Sequence, residues 1–195
     1  MTPSEQTIYS LTVPSAAESL TVLEGLCETF ITESEVVAPD IALILRLSVA
    51  EACRNALTLP RVRERLNLTT LTFLRIAPRN DVTGIALEIT DSGDGLAIDG
   101  TKPLYTPEML GKRFVLAEPL DQQVIAKVET PDRALLFSRA LDTEASLLSR
   151  EAMIAGAPER GLGLLALCRC WSLVSFRFDP ERGTTVRLEK PTLAI

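Results

Sequence analysis

A carboxylate at the end of an apolar run is the feature that most restricts how this chain can fold. The run 85–90, Ile-Ala-Leu-Glu-Ile-Thr, has the composition of a buried strand, and Asp91-Ser92-Gly93-Asp94-Gly95 follows it directly. A buried carboxylate is costly without hydrogen-bond donors, and two nearby glycines let the backbone turn sharply and approach a flat ligand. Asp91, Gly93 and Gly95 are therefore consistent with an adenine pocket, although a strand followed by an Asp/Gly sequence is most often only a turn.

The apolar segment 39–59 predicts a largely buried helix, because Pro39 and Asp40 suit a helix start and no glycine or proline interrupts the segment after them. Its polar residues are spaced three, four and three apart, which puts them on one face. They are Ser48, Glu51, Asn55 and Thr58. If that face is buried, its acid and amide need a partner. The alternative is an amphipathic helix whose polar stripe faces water.

A pair of glycines opens a second predicted helix, in the stretch 160–167 with the sequence Arg-Gly-Leu-Gly-Leu-Leu-Ala-Leu. Free backbone N–H groups at a helix start favour an anion, and glycine lets phosphate oxygens approach closely. The stretch is neither a P-loop nor a dinucleotide fingerprint, because it contains no Gly-Lys-Ser/Thr and no third glycine. Taken alone, Gly161 and Gly163 are also compatible with an ordinary helix N-terminus.

The order of the three motifs carries a resemblance that none of them carries alone. Glu-x-x-x-Asn on a helix, Asp-x-Gly-x-Gly after a strand and Gly-x-Gly opening a helix resemble the N, G1 and G2 boxes of the histidine-kinase-like (GHKL) ATPase superfamily. Two parts of the chain look most similar to the bacterial anti-sigma-factor serine/threonine kinases. They are the residues from Glu51 to Ala56 and the ending that runs from Arg160-Gly161-Leu162-Gly163 to Gly183-Thr184-Thr185-Val186-Arg187-Leu188. The resemblance covers most of the chain outside residues 96–159.

That resemblance implies the fold class. We expect an α+β two-layer sandwich of the Bergerat type, with a mixed, mainly antiparallel sheet covered by helices on one face. Residues 1–195 are expected to form one ATP-binding domain, with 96–159 as an enlarged lid or insertion within it. Strand-like runs at 113–116 and 124–128 and a helical pattern at 144–154 predict that this insertion is a hairpin plus a helix.

The resemblance also implies a role for each motif residue. Asp91 would accept a hydrogen bond from the adenine amine, and Gly93 and Gly95 would shape the pocket wall. Asn55 would bind Mg²⁺, and Glu51 would act as the general base. Gly161 and Gly163 would hold the phosphates of ATP through backbone N–H groups, and Arg160 would neutralise charge on the transferred group.

The implied function is an ATP-dependent protein kinase in a partner-switching pathway. Such a kinase phosphorylates a serine or threonine on an anti-sigma-factor antagonist protein, sequesters a sigma factor or similar regulator, and is expected to be a homodimer. Two alternatives remain open. One is a non-enzymatic, nucleotide-responsive binding module, such as a partner switch that activates a phosphatase, and the long insertion favours it. The other is a plain α/β interaction domain in which the motifs are accidental.

Charge and composition narrow these choices. A net charge of −6 argues against nucleic acid or an acidic membrane surface as the main partner, and we expect a cytoplasmic protein. The chain has no histidine, which excludes a histidine-based triad, a histidine metal site and an autophosphorylating histidine kinase with its own phosphoacceptor. The spacing of its four cysteines matches neither a redox pair nor a zinc site, so we expect reduced, core-filling thiols. They are Cys27, Cys53, Cys168 and Cys170.

The remaining segments predict a simple strand and helix order. Thr7 to Val13 alternates as a half-buried strand that stops at Pro14, and Ala16 to Ile31 has helical apolar spacing. Strands are also predicted at 69–76, 85–90, 171–178 and 184–189, with a helix at 162–170 and a hairpin turn at 179–183.

Overall fold

The structure is a computed structural model that describes residues 5–33, 46, 50–54, 56, 68–79, 82–119, 121–141 and 161–193. In chain order its elements are β1 (Glu5–Pro14), α1 (Ser19–Glu33), β2 (Leu68–Arg79), β3 (Val82–Asp91), a short 3₁₀ helix (Pro107–Met109), β4 (Arg113–Ala117), β5 (Gln122–Thr130), β6 (Arg133–Ala140), α2 (Leu162–Cys170), β7 (Leu173–Asp179) and β8 (Gly183–Leu193). Residues 46, 50–54 and 56 are also helical.

All eight strands belong to one sheet in the order β1-β2-β3-β8-β7-β6-β5-β4. Every pairing between these strands is antiparallel. The pairing of β3 with β8 joins the first three strands to the last five, and it places Asp91 directly opposite Thr184. The end of the strand that carries the first motif therefore lies at the middle of the sheet.

The hydrophobic core lies between one face of this sheet and the helical segments. Leu71 and Phe73 of β2 and Leu87 and Ile89 of β3 alternate inward, as expected for strands buried on one face. From α1, Phe30 stacks on Phe73 with ring centroids 4.2 Å apart. The cluster is completed by Ala52, Cys53 and Ala56 and by buried residues of α2.

The predicted fold class is wrong. The described residues form a single eight-stranded antiparallel sheet, whereas the prediction was a Bergerat-type α+β sandwich with a mixed, mainly antiparallel sheet under a helical layer. The physical reason lies in residues 113–140. They were interpreted as an insertion beside the sheet, but β4, β5 and β6 join the sheet itself because β6 pairs with β7. Strand β6 was not predicted, since a short apolar run does not distinguish strand from helix by periodicity.

Other predicted elements agree with the structure. The helix at Leu162–Cys170 has the predicted ends, and β1 and α1 lie where the alternating and helical patterns placed them. All four cysteines are free, and three of them are buried, which confirms the core-filling interpretation. The predicted helix at 144–154 lies outside the described residues. Among those residues, no helix is long and apolar enough to cross a membrane.

Candidate functional site

Residues from all three sequence motifs line one cavity of about 550 Å³. Glu51 comes from the helical stretch 50–54, Asp91 and Gly95 from the end of β3 and its loop, and Gly161 and Gly163 from the start of α2. The structure therefore brings together five of the eight predicted site residues as lining residues of one cavity. The predicted Mg²⁺ ligand Asn55 and the predicted phosphate ligand Arg160 lie outside the described residues.

Asp91 is buried at the end of β3, with 5% of its surface exposed. Its Oδ1 accepts a hydrogen bond from the backbone N–H of Gly93 at 2.6 Å. Thr184 on β8 is also buried, and its hydroxyl oxygen accepts from the backbone N–H of Gly95 at 2.7 Å. These bonds fix the turn after β3 and place a carboxylate and a hydroxyl side by side on the cavity wall.

At two positions around this turn, neighbouring atoms lie too close to the backbone for any residue other than glycine. Gly95 has φ +82°, and a β-carbon at this position would lie 2.5 Å from Cγ of Pro103. Gly183 has φ +100°, and a β-carbon there would overlap the carbonyl oxygen of Asp91. Left-handed backbone is strained for other residues. Gly183 thus allows β8 to start directly against the turn that carries Asp91. Gly93, also predicted to shape the pocket, lies beneath the Asp91 carboxylate and is not itself a lining residue.

The loop that follows Gly95 is held against the cavity by its own hydrogen bonds. Tyr105 is buried, and its hydroxyl donates to the carbonyl oxygen of Leu96 at 2.6 Å. Ile98 and Thr101 exchange backbone hydrogen bonds of 2.8 Å each. Burial raises the pKa of the Tyr105 hydroxyl well above its usual range, so this group stays a neutral donor. The loop therefore has a defined path along the cavity.

The start of α2 forms another part of the cavity wall. Gly161 is the N-cap residue with φ +93°, and its carbonyl oxygen accepts from the N–H of Leu165 at 2.9 Å. A β-carbon on Gly161 would contact Cβ of Ala117, at the end of β4. Positive backbone charge at a helix start favours an anion, so this end of the cavity suits phosphate oxygens.

The side chain of Glu51 lies directly against Gly163 on the cavity wall. A β-carbon on Gly163 would overlap Oε1 and Cγ of Glu51, so the glycine makes room for the acid. The other carboxylate oxygen, Oε2, accepts from a guanidinium nitrogen of Arg54 at 2.6 Å. The predicted base and the predicted phosphate-binding glycine are therefore in contact, and the base is held by an ion pair one helical turn away.

Apolar side chains form much of the remaining wall. They are Ala52, Ala56, Leu96, Ala97, Leu164, Leu167, Phe176 and Val186. Cavities of this size with apolar walls and a few convergent polar groups are typical of small-molecule sites. A flat aromatic ring beside Asp91 could bury its faces against such walls.

Sequence reasoning assigned no role to three cavity residues that carry polar groups, Asp94, Thr184 and Lys102. Thr184 belongs to the C-terminal sequence 183–188 that resembles the kinase family, but the resemblance gave it no role in the site. No local pattern in the sequence shows that β8 pairs with β3. Lys102 lines the cavity mouth, where its Nζ lies 2.8 Å from Oδ2 of Asp94. A single lysine in a loop gives no sequence signal of a site. Lys102 is nevertheless the only cationic side chain among the described lining residues, beside the three acids Glu51, Asp91 and Asp94.

The described residues contain no group of three or more acidic, cysteine or histidine side chains arranged to hold a metal ion. Magnesium in nucleotide sites usually takes one or two protein ligands, and phosphate oxygens and water supply the rest. Glu51 is one oxygen donor on the cavity wall that fits such a site. The predicted ligand Asn55 belongs to the part of the helix that is not described.

Comparisons with known proteins do not assign the chain to a family. No protein-family model matches the chain, and a search of curated proteins found no significant match.

Proposed function

We propose that this chain binds ATP in the cavity between the end of β3 and the start of α2, and that it acts as an anti-sigma-factor-type protein kinase. The observation that carries the proposal is the meeting of Glu51, Asp91, Gly95, Gly161 and Gly163 around one cavity of about 550 Å³. The fold that the resemblance implied is wrong, so the proposal depends on the site and not on the fold.

Asp91 is the proposed reader of the base. A carboxylate can accept several hydrogen bonds, so it can accept from the adenine amine in addition to the N–H of Gly93. Guanine has a carbonyl at that place on the ring, and two acceptors facing each other in a buried pocket are unfavourable. Thr184 offers a hydroxyl on the same wall, and Phe176 and Val186 supply apolar surface for the ring.

The start of α2 is the proposed phosphate side. A triphosphate extending from Asp91 across the cavity reaches Gly161 and Gly163, where a helix N-terminus favours negative charge. Because the Glu51 carboxylate lies over Gly163, an approaching phosphate has to displace it from this position. Carboxylate oxygens such as those of Glu51 are of the kind that would hold Mg²⁺ beside the phosphates. When bound, the magnesium ion would neutralise phosphate charge at this end of the cavity.

The proposed chemistry is phosphoryl transfer with Glu51 as general base. A seryl or threonyl hydroxyl of an antagonist protein attacks the γ-phosphorus, the bond from that phosphorus to the β-bridging oxygen breaks, and ADP leaves. Glu51 takes the hydroxyl proton. In this proposal the chain is a cytoplasmic homodimer that also sequesters a sigma factor or similar regulator.

One contact favours the alternative of a binding module without catalysis. The Arg54 guanidinium engages the Glu51 carboxylate at 2.6 Å, and a base must give up part of that interaction to receive a proton. In the alternative, ATP binding alone changes the surface that partners contact.

Calorimetric titration with Mg-ATP and Mg-GTP tests the site, and Asp91→Asn is the informative variant. We expect micromolar, adenine-selective binding that the substitution abolishes, because an amide nitrogen facing the adenine amine is a donor facing a donor. Asp99→Asn is the matched control, since Asp99 is exposed in the neighbouring loop and asparagine tolerates its φ of +49°. Unchanged ATP affinity in Asp91→Asn would contradict the assigned role.

Slow formation of ADP from Mg-ATP, with water as acceptor, separates the kinase from the binding module. Glu51→Gln should retain ATP binding and lose at least about 100-fold in rate, a typical contribution of a general base. Glu18→Gln, an exposed acid before α1, is the control. A wild-type rate in Glu51→Gln would contradict the assignment of Glu51 as the base. No ADP formation by a wild-type protein that binds ATP would favour the binding module.

A further inference from the structure

We propose that Lys102 is the residue that selects a triphosphate over the bare nucleoside, and that Asp94 holds it ready at the cavity mouth until a phosphate replaces the aspartate. This inference depends on the proposed nucleotide function and deepens it. The juxtaposition that carries it is an ion pair of 2.8 Å between two lining residues of the cavity.

The charges of the cavity make a cation necessary for an anionic ligand. Glu51, Asp91 and Asp94 contribute three carboxylates to its wall, and Lys102 is the only cation among the described lining residues. A polyphosphate brought into such a cavity meets repulsion unless a positive group faces it. A mobile ammonium with three donors is well suited to follow phosphate oxygens.

The exposure of the two partners shows which of them can change its contacts. The side chain of Lys102 is 61% exposed, whereas that of Asp94 is 21% exposed. The lysine can therefore swing toward a ligand at the mouth, while the aspartate stays with the turn after β3. Because an exposed ion pair contributes little net stability, exchanging Asp94 for a more highly charged phosphate is favourable.

The backbone around Lys102 is fixed, so the lysine starts from a defined position. The preceding residue, Thr101, is bonded to Ile98 through two backbone hydrogen bonds. The next residue, Pro103, packs closely on Gly95. A β-carbon on Gly95 would lie 2.5 Å from Cγ of Pro103. Further along, Tyr105 is tied to the carbonyl of Leu96. Only the side chain needs to move when a phosphate enters.

Calorimetric titration with ATP and with adenosine, for wild type and Lys102→Gln, tests the inference. We expect the substitution to weaken ATP binding roughly 10-fold and adenosine binding by less than about 2-fold, since one charge-assisted hydrogen bond to phosphate is lost. Lys102→Arg should restore most of the ATP affinity. Asp94→Asn should strengthen ATP binding by roughly 3-fold, because it releases the lysine and removes one repelling charge.

Lys112→Gln is the matched control, because Lys112 is an exposed lysine between the 3₁₀ helix and β4 that does not line the cavity. It should change neither affinity. Added salt should weaken ATP binding more in wild type than in Lys102→Gln, since screening acts on the exposed ammonium.

The outcomes separate this inference from the function on which it depends. A wild-type protein that binds neither ATP nor adenosine overturns the proposed function and the inference together. A wild-type protein that binds ATP, with a Lys102→Gln variant that keeps the same ratio of ATP to adenosine affinity, overturns the inference alone. Equal losses for both ligands would mean that Lys102 only shapes the cavity, which also overturns it.

Discussion

Replacing Gly163 by alanine should weaken nucleotide binding strongly while leaving the fold intact. Gly163 is the second residue of α2, and its φ is not left-handed, so alanine fits the backbone. Alanine in place of glycine inside a helix is favourable by about 0.5–1 kcal/mol. The new β-carbon, however, overlaps the side chain of Glu51, which has to move.

The cost of moving Glu51 can be bounded from its contacts. Its ion pair with Arg54 involves side chains that are 28% and 52% exposed, and partly exposed pairs contribute about 0.2–1 kcal/mol. That loss and the helix-propensity gain are of similar size and opposite sign. We therefore expect the free energy of unfolding to change by less than about 1 kcal/mol, which shifts Tm by no more than about 4 °C in a chain of this size.

Gly25→Ala is the matched control for the propensity term. Gly25 lies in the exposed part of α1, and a β-carbon there meets nothing within 4 Å. The difference between the two variants in urea denaturation isolates the cost of displacing Glu51. Calorimetry should show ATP affinity at least about 10-fold weaker in Gly163→Ala and unchanged in Gly25→Ala. A Gly163→Ala variant more than about 2 kcal/mol less stable than Gly25→Ala, or one with wild-type ATP affinity, would refute the reasoning.

Three further predictions concern stability and reactivity. Gly183→Ala should lower the free energy of unfolding, measured by urea denaturation, by at least about 3 kcal/mol. The φ of +100° strains alanine, and the new β-carbon overlaps the carbonyl oxygen of Asp91. A loss under about 1 kcal/mol would contradict this prediction. Hydrogen bonds from the Thr130 hydroxyl and then from Arg177 lower the pKa of Asp132. The stability that this carboxylate contributes is therefore complete above its unfolded pKa of about 3.9 and is lost as pH falls through the lower folded pKa. Asp132→Asn should reduce the fall in the free energy of unfolding between about pH 5 and pH 2, and an unchanged pH dependence would count against this assignment. Burial raises the pKa of the half-buried thiol of Cys168 to about 12. At neutral pH this thiol should react with an aromatic disulfide reagent far more slowly in the native protein than in the urea-unfolded protein. Equal rates would show that the thiol is accessible in the native protein.

Local patterns predicted the elements whose signals are local. The helix Leu162–Cys170 was predicted with its observed ends, because a glycine pair marks its start and its apolar residues have helical spacing. Strands β2 and β3 were predicted shorter than they are, since their outer residues include Pro78 and Gly84, which have weak strand preference. The hairpin ladder nevertheless extends to Gly84, opposite Ile76, and after an irregularity to Val82, opposite Arg79.

The pairing of strands distant in sequence could not be predicted in this way. Strand β6 joins β7 across a long stretch of chain, and that pairing turns the presumed insertion into part of the sheet. The same limit applies to the site. The three motifs indicated which residues could act together, but the position of Thr184 opposite Asp91 depends on the β3–β8 register. Lys102 reaches the cavity only because the loop after Gly95 folds back.

The correction to the fold and the proposal for the site are compatible for a structural reason. Strands β4, β5 and β6 add to the sheet on the far side of β7, and none of their described residues lines the cavity. They nevertheless support it, because α2 packs on β5, β6 and β7. Ala117 at the end of β4 contacts the α-carbon region of Gly161, where α2 begins. The added strands therefore fix the helix start that is proposed to face the phosphates, and they leave the space in front of it open.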